Sequence, residues 1–164
     1  APLLAASGYQ MNTHCIGDAA NQQVPNIYLN TVGQQTDHRW RIEHAQVVSP
    51  PDLNIFKQGH IVPSVQPTHA TSDMYWAGER LGPERITHAY AYQQLLQLNG
   101  WLPLGTDFPV EDISPLKTFY AAVFRIDSSG YPAGGFQAQD ALTREQAIRG
   151  MTIWAARAAF EEDV

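Results

Sequence analysis

Residues 8–18 read GYQMNTHCIGD, residues 38–46 read HRWRIEHAQ, and residues 99–109 read NGWLPLGTDFP. Each run is strand-like, ends near a residue able to ligate a metal (His14, His44 and Asp107), and leads through a loop into a helix pattern. His14 and His44 lie 30 residues apart, and His44 and Asp107 lie 63 apart, about two further steps of that size. One strand–loop–helix unit of a β/α barrel takes roughly 30 residues, since about 250 residues build eight of them. In that architecture functional side chains gather at the carboxyl ends of the strands. Two imidazoles and a carboxylate on one rim are ligands for a divalent metal that activates water. The spacing therefore predicts an α/β chain of parallel β/α units whose rim carries His14, His44 and Asp107.

Outward from these runs, strand and helix signals alternate. Strands are expected in MNTHCIG (11–17), RWRIEHAQV (39–47), HIVPSVQP (60–67) and WLPLGTDF (101–108). Asp18 is a plausible N-cap for the helix pattern that follows, and Pro25 should kink or break that helix. Pro50, Pro51 and Asp52 open a short helix, and residues 68–82 read as a long polar loop. A helix is expected from Pro83 to Asn99, ended by Gly100, and another from Ser114 to Arg125. The last helix, residues 143–162, carries a capping box in Thr143 and Gln146 and an apolar stripe through Ile148, Met151, Ile153 and Ala155. Alternation of this kind calls for parallel pairing through helical crossovers.

Composition narrows the partners. The 164 residues, 44% of them apolar, suffice for one core and a single domain over residues 1–164. A formal net charge of −6 and only ten Lys and Arg leave no basic stripe for nucleic acid. One cysteine, Cys15, excludes an internal disulfide framework. No apolar run reaches the length of a membrane span; the start reads as an interior stretch of a longer chain, and a cytoplasmic location is the expectation. Strand alternation turns Cys15 away from the face of His14. Trp40, Trp101 and Trp154 suit packing, Trp76 could wall a pocket, and His38, His60 and His88 read as surface or helix-flank residues. Glu161, Glu162 and Asp163 read as a solvated helix end.

Six segments in order carry a resemblance: HCIGDAAN (14–21), RIEHAQ (41–46), SVQPTHATSD (64–73), GERLGPER with AYAYQQLL (78–96), GTDFPVE (105–111) and LTREQAIRGMTIWAARA (142–158). Together they resemble the second half of amidohydrolase family 3, the branch of the metal-dependent amidohydrolases that includes N-substituted formamide deformylases. The resemblance covers nearly all of residues 8–160. It implies strands five to eight of a TIM-type (β/α)8 barrel, with His14 and His44 as metal ligands and Asp107 as ligand and general base. It places Gln66 and His69 near the substrate, with Tyr90 and Arg85 as further pocket or structural candidates. The chain lacks the family's His-x-His pair, its only lysines, Lys57 and Lys117, lie in helix patterns, and the flanking β-domain is missing. The expectation is a partial barrel from a longer enzyme.

The implied chemistry is hydrolysis of a non-peptide carbon–nitrogen bond in a small amide or N-acyl substrate, with zinc as the default metal. Asp107 would move the proton and Gln66 or His69 would steady the oxyanion. The alternative is a non-catalytic half-barrel that only binds metal or ligand, or serves as a structural piece. A half-barrel would have open parallel edges and an apolar concave face, so a homo-oligomer, or association with the missing barrel half, is expected.

Overall fold

The computed structural model describes residues 1–164. Strands β1 (Asn12–Cys15), β2 (Arg41–His44) and β3 (Val62–Ser64) form a parallel sheet in that order. In register, His14 lies opposite Glu43 and Glu43 opposite Ser64. Side chains alternate across a strand, so these three share one face, while Cys15 and Ile42 turn to the other and are fully buried. The expected fourth strand is reduced to one parallel bridge, Val65 to Leu104. Val65 N–H donates to Pro103 O at 3.1 Å and Gly105 N–H donates to Val65 O at 3.0 Å. Pro103 has no N–H to extend the ladder, and Leu104 N–H is taken by Gly150 O at 2.9 Å. The segment therefore sits where a fourth strand would sit without becoming one.

Helix α1 (Pro2–Ala6) precedes the sheet, and α2 (Asp18–Val32) follows β1. Pro25 does not break α2, which runs unbroken through it. Asn21, Pro25, Tyr28 and Val32 form a single buried face whose packing spans the proline. Gly17, not Asp18, occupies the cap position. Asn21 is fully buried, and its Nδ2 lies 3.0–3.1 Å from the carbonyls of Cys15, Ile16, Gly17 and Val47, which pins the start of α2 to the end of β1. Helix α3 (Pro50–Gln58) follows β2 and packs on α2.

Residues 68–82, expected as a loop, are largely helical: α4 spans Pro67–Asp73 and α5 spans Ala77–Arg85. Pro67 presets the first turn of α4, and Thr68, His69, Ala70 and Thr71 are all buried, so packing rather than propensity makes this helix. Gly82, at φ 76°, interrupts α5, and Pro83 restarts it. The helix expected over 83–99 divides: a 3₁₀ turn covers Ile86–His88 and α6 covers Tyr92–Asn99. Between them the chain is drawn to residues 46–48, where Tyr90 N–H donates to Gln46 O at 2.7 Å and Val48 N–H donates to His88 O at 3.3 Å. Gly100 ends α6 in the left-handed region, as expected.

Helix α7 (Pro115–Phe124) packs against α4. The last helical stretch carries its capping box, Gln146 N–H to Thr143 Oγ1 at 3.2 Å and Thr143 N–H to Gln146 Oε1 at 2.8 Å. It divides at Thr152 into α8 (Arg144–Met151) and α9 (Ile153–Ala158). Thr152 Oγ1 donates to Ile148 O at 2.7 Å, a back-bond that competes with a continuous helix. The expected apolar stripe is not the buried one: Ala147, Gly150 and Ala158 face inward, and Ile148 and Ile153 are exposed.

The main core lies between the sheet and helices α2, α3 and α6, around Tyr28, Trp40, Ile42, Phe56, Ile61 and Leu95. The opposite face of the sheet is polar rather than apolar, carrying His14, Arg41, Glu43 and Ser64. Arg41 bonds Glu43 Oε1 at 2.9 Å and Ala158 O at 2.9 Å, which ties α9 to that face. Glu162 is no free helix end, since Arg39 holds it at 2.8 Å. His38 is buried as well, against expectation: its Nε2 meets Gly59 O at 2.7 Å and its Nδ1 accepts from Trp40 N–H at 2.9 Å.

Candidate metal centre

His14 and His44 stand at the carboxyl ends of β1 and β2, one residue from the end and last in the strand respectively. His69 comes from α4, which starts directly after β3, and Asp107 follows the bridge segment at Leu104. His44, Ala45 and Asp107 all take left-handed backbone conformations, φ 72°, 41° and 59°. Such conformations cost a non-glycine residue on the order of 1 kcal/mol or more, and they cluster at functional rims. Here the turn after β2 and the turn after Leu104 aim His44 and Asp107 at each other.

The ligand-capable atoms of His44, His69 and Asp107 all lie within 4.8 Å of one another. His69 Nε2 is 3.2 Å and His44 Nε2 is 4.0 Å from Asp107 Oδ2. Two ligand atoms about 2.1 Å from a tetrahedral ion are about 3.4 Å apart, so these spacings bracket what a small divalent cation needs. The His14 ring stands edge-on to His44, with centroids 4.5 Å apart. The structure thus brings His44, His69 and Asp107 together, while His14 stands beside His44 but outside that group of ligand atoms.

Burial, and the nearby His14, push the His44 pKa below its ordinary value, which keeps the ring neutral and able to ligate. Its Nδ1 is buried with no hydrogen-bond partner. The other ring nitrogen, Nε2, is the one that faces Asp107 Oδ2 at 4.0 Å, and a donor set of imidazole nitrogen and carboxylate oxygen suits zinc and its neighbours. His14, His44, Gln66 and Asp107 line one cavity of about 510 Å³ together with Ser64 and Gly105. Gln66 Oε1 is also buried without a partner, while its Nε2 reaches Ser64 O at 3.4 Å.

Tyr90 and Arg85 lie further out. Tyr90 is buried; its hydroxyl donates to Asp73 Oδ2 at 2.8 Å, and Gln46 Nε2 donates to the same oxygen at 3.1 Å. Burial pushes the Asp73 carboxyl above its usual range, and these two donors pull it back. Arg85 is exposed and pairs with Asp18 at 3.4 Å, outside the cavity lining. Cys15 is buried in the core, and burial pushes its thiol up to about 11. Sequence reasoning missed Glu111, whose Oε1 is 3.2 Å from His69 Nδ1, and Asp73. Each stands four residues after a site residue, but residues 68–82 read as loop, so the helical spacing that links Asp73 to His69 on α4 was not readable.

The profile of the amidohydrolase family matches residues 2–164. The chain belongs to that family. Protein LONG AFTER FAR-RED 3 of Arabidopsis thaliana is 42% identical over 161 residues, covering 94% of this chain and 27% of the plant protein. Putative amidohydrolase YtcJ of Bacillus subtilis is 28% identical over 155 residues, covering 94% of this chain and 29% of its own length. Among solved structures, an uncharacterized metal-dependent hydrolase of Pyrococcus horikoshii superposes with TM-score 0.83 at 30% identity, over 97% of this chain and 31% of that one. Its counterpart from Pyrococcus furiosus gives TM-score 0.80 at 28% identity, again over 97% and 31%. The chain therefore spans less than a third of the length of these relatives. It shares the fold of that part of metal-dependent hydrolases, and no helix is long and apolar enough to cross a membrane.

Proposed function

We propose that this chain supplies much of the metal-holding rim of a hydrolase that cleaves a non-peptide carbon–nitrogen bond in a small amide or N-acyl substrate. The observation that carries the reading is the convergence of His44, His69 and Asp107 within 4.8 Å. His14, His44 and Asp107 would hold a divalent metal, zinc by default, with His69 against Asp107 from the other side. The metal, when bound, supplies an activated water and polarises a carbonyl oxygen. Asp107 Oδ2 accepts the proton of the attacking water and returns it to the leaving nitrogen, a task that requires hydrogen-bond reach to both. Gln66 and His69 face the same rim and steady the oxyanion that develops on the carbonyl. The order β1-β2-β3, followed by the bridge at Leu104, supports reading the chain as strands five to eight of a (β/α)8 barrel.

A second reading concerns the chain on its own, as a non-catalytic module that binds metal or ligand, or as a structural piece. It is favoured by the openness of the rim, where His14 is exposed and the Asp107 side chain is 35% exposed. Elemental analysis and an amide panel decide between them when run on the 164-residue chain and on a longer protein that carries it. The longer protein should hold a divalent metal and hydrolyse amides, while the chain alone should retain metal weakly and turn nothing over. Undiminished hydrolysis by a metal-stripped longer protein would overturn the proposal.

A further inference from the structure

His69 is held between two carboxylates. Its Nε2 is 3.2 Å from Asp107 Oδ2 and its Nδ1 is 3.2 Å from Glu111 Oε1. The turn after Asp107 makes this possible: Val110 N–H donates to Asp107 O at 2.8 Å and Glu111 N–H to the same oxygen at 3.4 Å. One segment thus sends Asp107 to one edge of the ring and Glu111, four residues on, to the other. A carboxylate only accepts, and a neutral imidazole has one N–H to give. The two carboxylates are not equivalent claimants. Asp107 is the more open to water, its side chain 35% exposed against 19% for Glu111, and it also faces His44 Nε2 at 4.0 Å. Glu111 faces no cation: Lys117 is spent on Asp112 at 2.6 Å, and the donors near Glu111 are His69 and the Ser72 hydroxyl at 2.5 Å. Ser72 lies three residues after His69, on the same face of α4, so the helix presents both donors to one carboxylate.

We propose that Glu111 is the positioning residue for His69: it takes the Nδ1 proton, and so leaves the Nε2 lone pair facing Asp107 and the metal position. The free imidazole prefers its proton on Nε2, so the site imposes the less common tautomer. A metal-ligating or metal-facing histidine steadied through its other nitrogen gains both orientation and basicity. The consequence for metal holding rests on the function proposed above; the tautomer itself does not.

The test is two-bond ¹H–¹⁵N correlation on the ¹⁵N-histidine-labelled, metal-free chain above the imidazole titration range, with the His69 signals identified by their loss in His69→Gln. Wild type should show His69 protonated on Nδ1. Glu111→Ala should move the proton to Nε2, and Glu111→Gln, whose Oε1 still accepts, should keep it on Nδ1. A wild-type spectrum with the proton on Nε2 overturns the assignment, whether or not any variant folds. So does a folded Glu111→Ala chain with the tautomer unchanged. Cobalt titration of the longer protein reads the consequence, and Glu111→Ala should weaken binding about 10–100-fold. Equal affinity in that variant would overturn the positioning role. A wild type that binds no cobalt would strike the metal reading instead and leave the tautomer to stand or fall on the spectra.

Discussion

Replacing Gly150 with alanine should destabilise this protein, although the same change inside an exposed helix usually helps. Helix propensity alone favours alanine by about 1 kcal/mol. Gly150, however, is the point where α8 touches the segment that leads to Asp107. A Cβ there would stand 2.5 Å from Leu104 Cγ, 2.8 Å from Leu102 O and 2.8 Å from Leu104 Cδ1. Leu104 and Leu102 are both buried, and one of the three clashing atoms is backbone, so rotation of a side chain cannot relieve them all. Overpacking of this kind costs about 1–3 kcal/mol, and three contacts this short belong near the top of that range. After the propensity gain the net loss should be about 2 kcal/mol, or roughly 4–8 °C in Tm for a chain of this size. Gly150 O also accepts the Leu104 N–H at 2.9 Å, so the displaced segment should carry Asp107 away from His44. Urea titration with thermal melts provides the assay, and Gly78→Ala provides the control, since its added Cβ meets nothing within 4 Å. Gly150→Ala as stable as wild type, or more so, would refute the reasoning.

Other outcomes follow from the same structure. In a longer protein that carries this chain, Asp107→Asn keeps the shape and removes the base, so turnover should fall by about 10²–10⁴-fold; activity within tenfold of wild type would remove Asp107 from that role. Burial lowers the His38 pKa from 6.5, and protonating Nδ1 would set a donor against the Trp40 N–H. The stability His38 contributes is therefore fully present above about pH 6.5 and declines as pH falls from there to the folded-state value, with a limiting slope of about 1.4 kcal/mol per pH unit. His38→Asn should flatten that part of the urea-stability profile, leaving what His44 contributes. Asn21→Ala strips a buried donor shared among four carbonyls and should cost about 2–3 kcal/mol by chemical denaturation. β1 has a sheet partner on one side, so the isolated chain should associate through that edge as a dimer or larger; a stable monomer in light scattering would count against it.

Much of the site was readable because its signals are local. The runs ending at His14 and His44 alternate as strands do, and glycine or proline punctuates the step into each following helix. The Thr143–Gln146 box marks a helix start within four residues, and Gly100 marks a stop. Asp107 was readable by spacing even though its strand was not formed. What stayed hidden depends on contacts distant in sequence. THATSD is polar and reads as loop, yet burial against α7 folds it into α4 and sets His69, which the resemblance placed only near the substrate, against Asp107. The expected helix breaks after the 3₁₀ turn at Ile86–His88 because Gln46 O and Val48 N–H take the Tyr90 N–H and His88 O.

By itself, the sequence determined the alternation of strand and helix, the parallel order, and the presence of two imidazoles at strand ends, because hydrophobic period and turn chemistry act over a few residues. Tertiary structure alone decided that His69, placed near the substrate by the resemblance, comes within 3.2 Å of Asp107, that Glu111 grips the far nitrogen of that ring, that the fourth strand stops at one bridge, and that His38 is core rather than surface. Those outcomes turn on which backbone and side-chain groups find a partner across 21 to 42 residues of chain (38 between His69 and Asp107, 42 between His69 and Glu111, 39 between Val65 and Leu104, 21 between His38 and Gly59), and no local pattern records that distance.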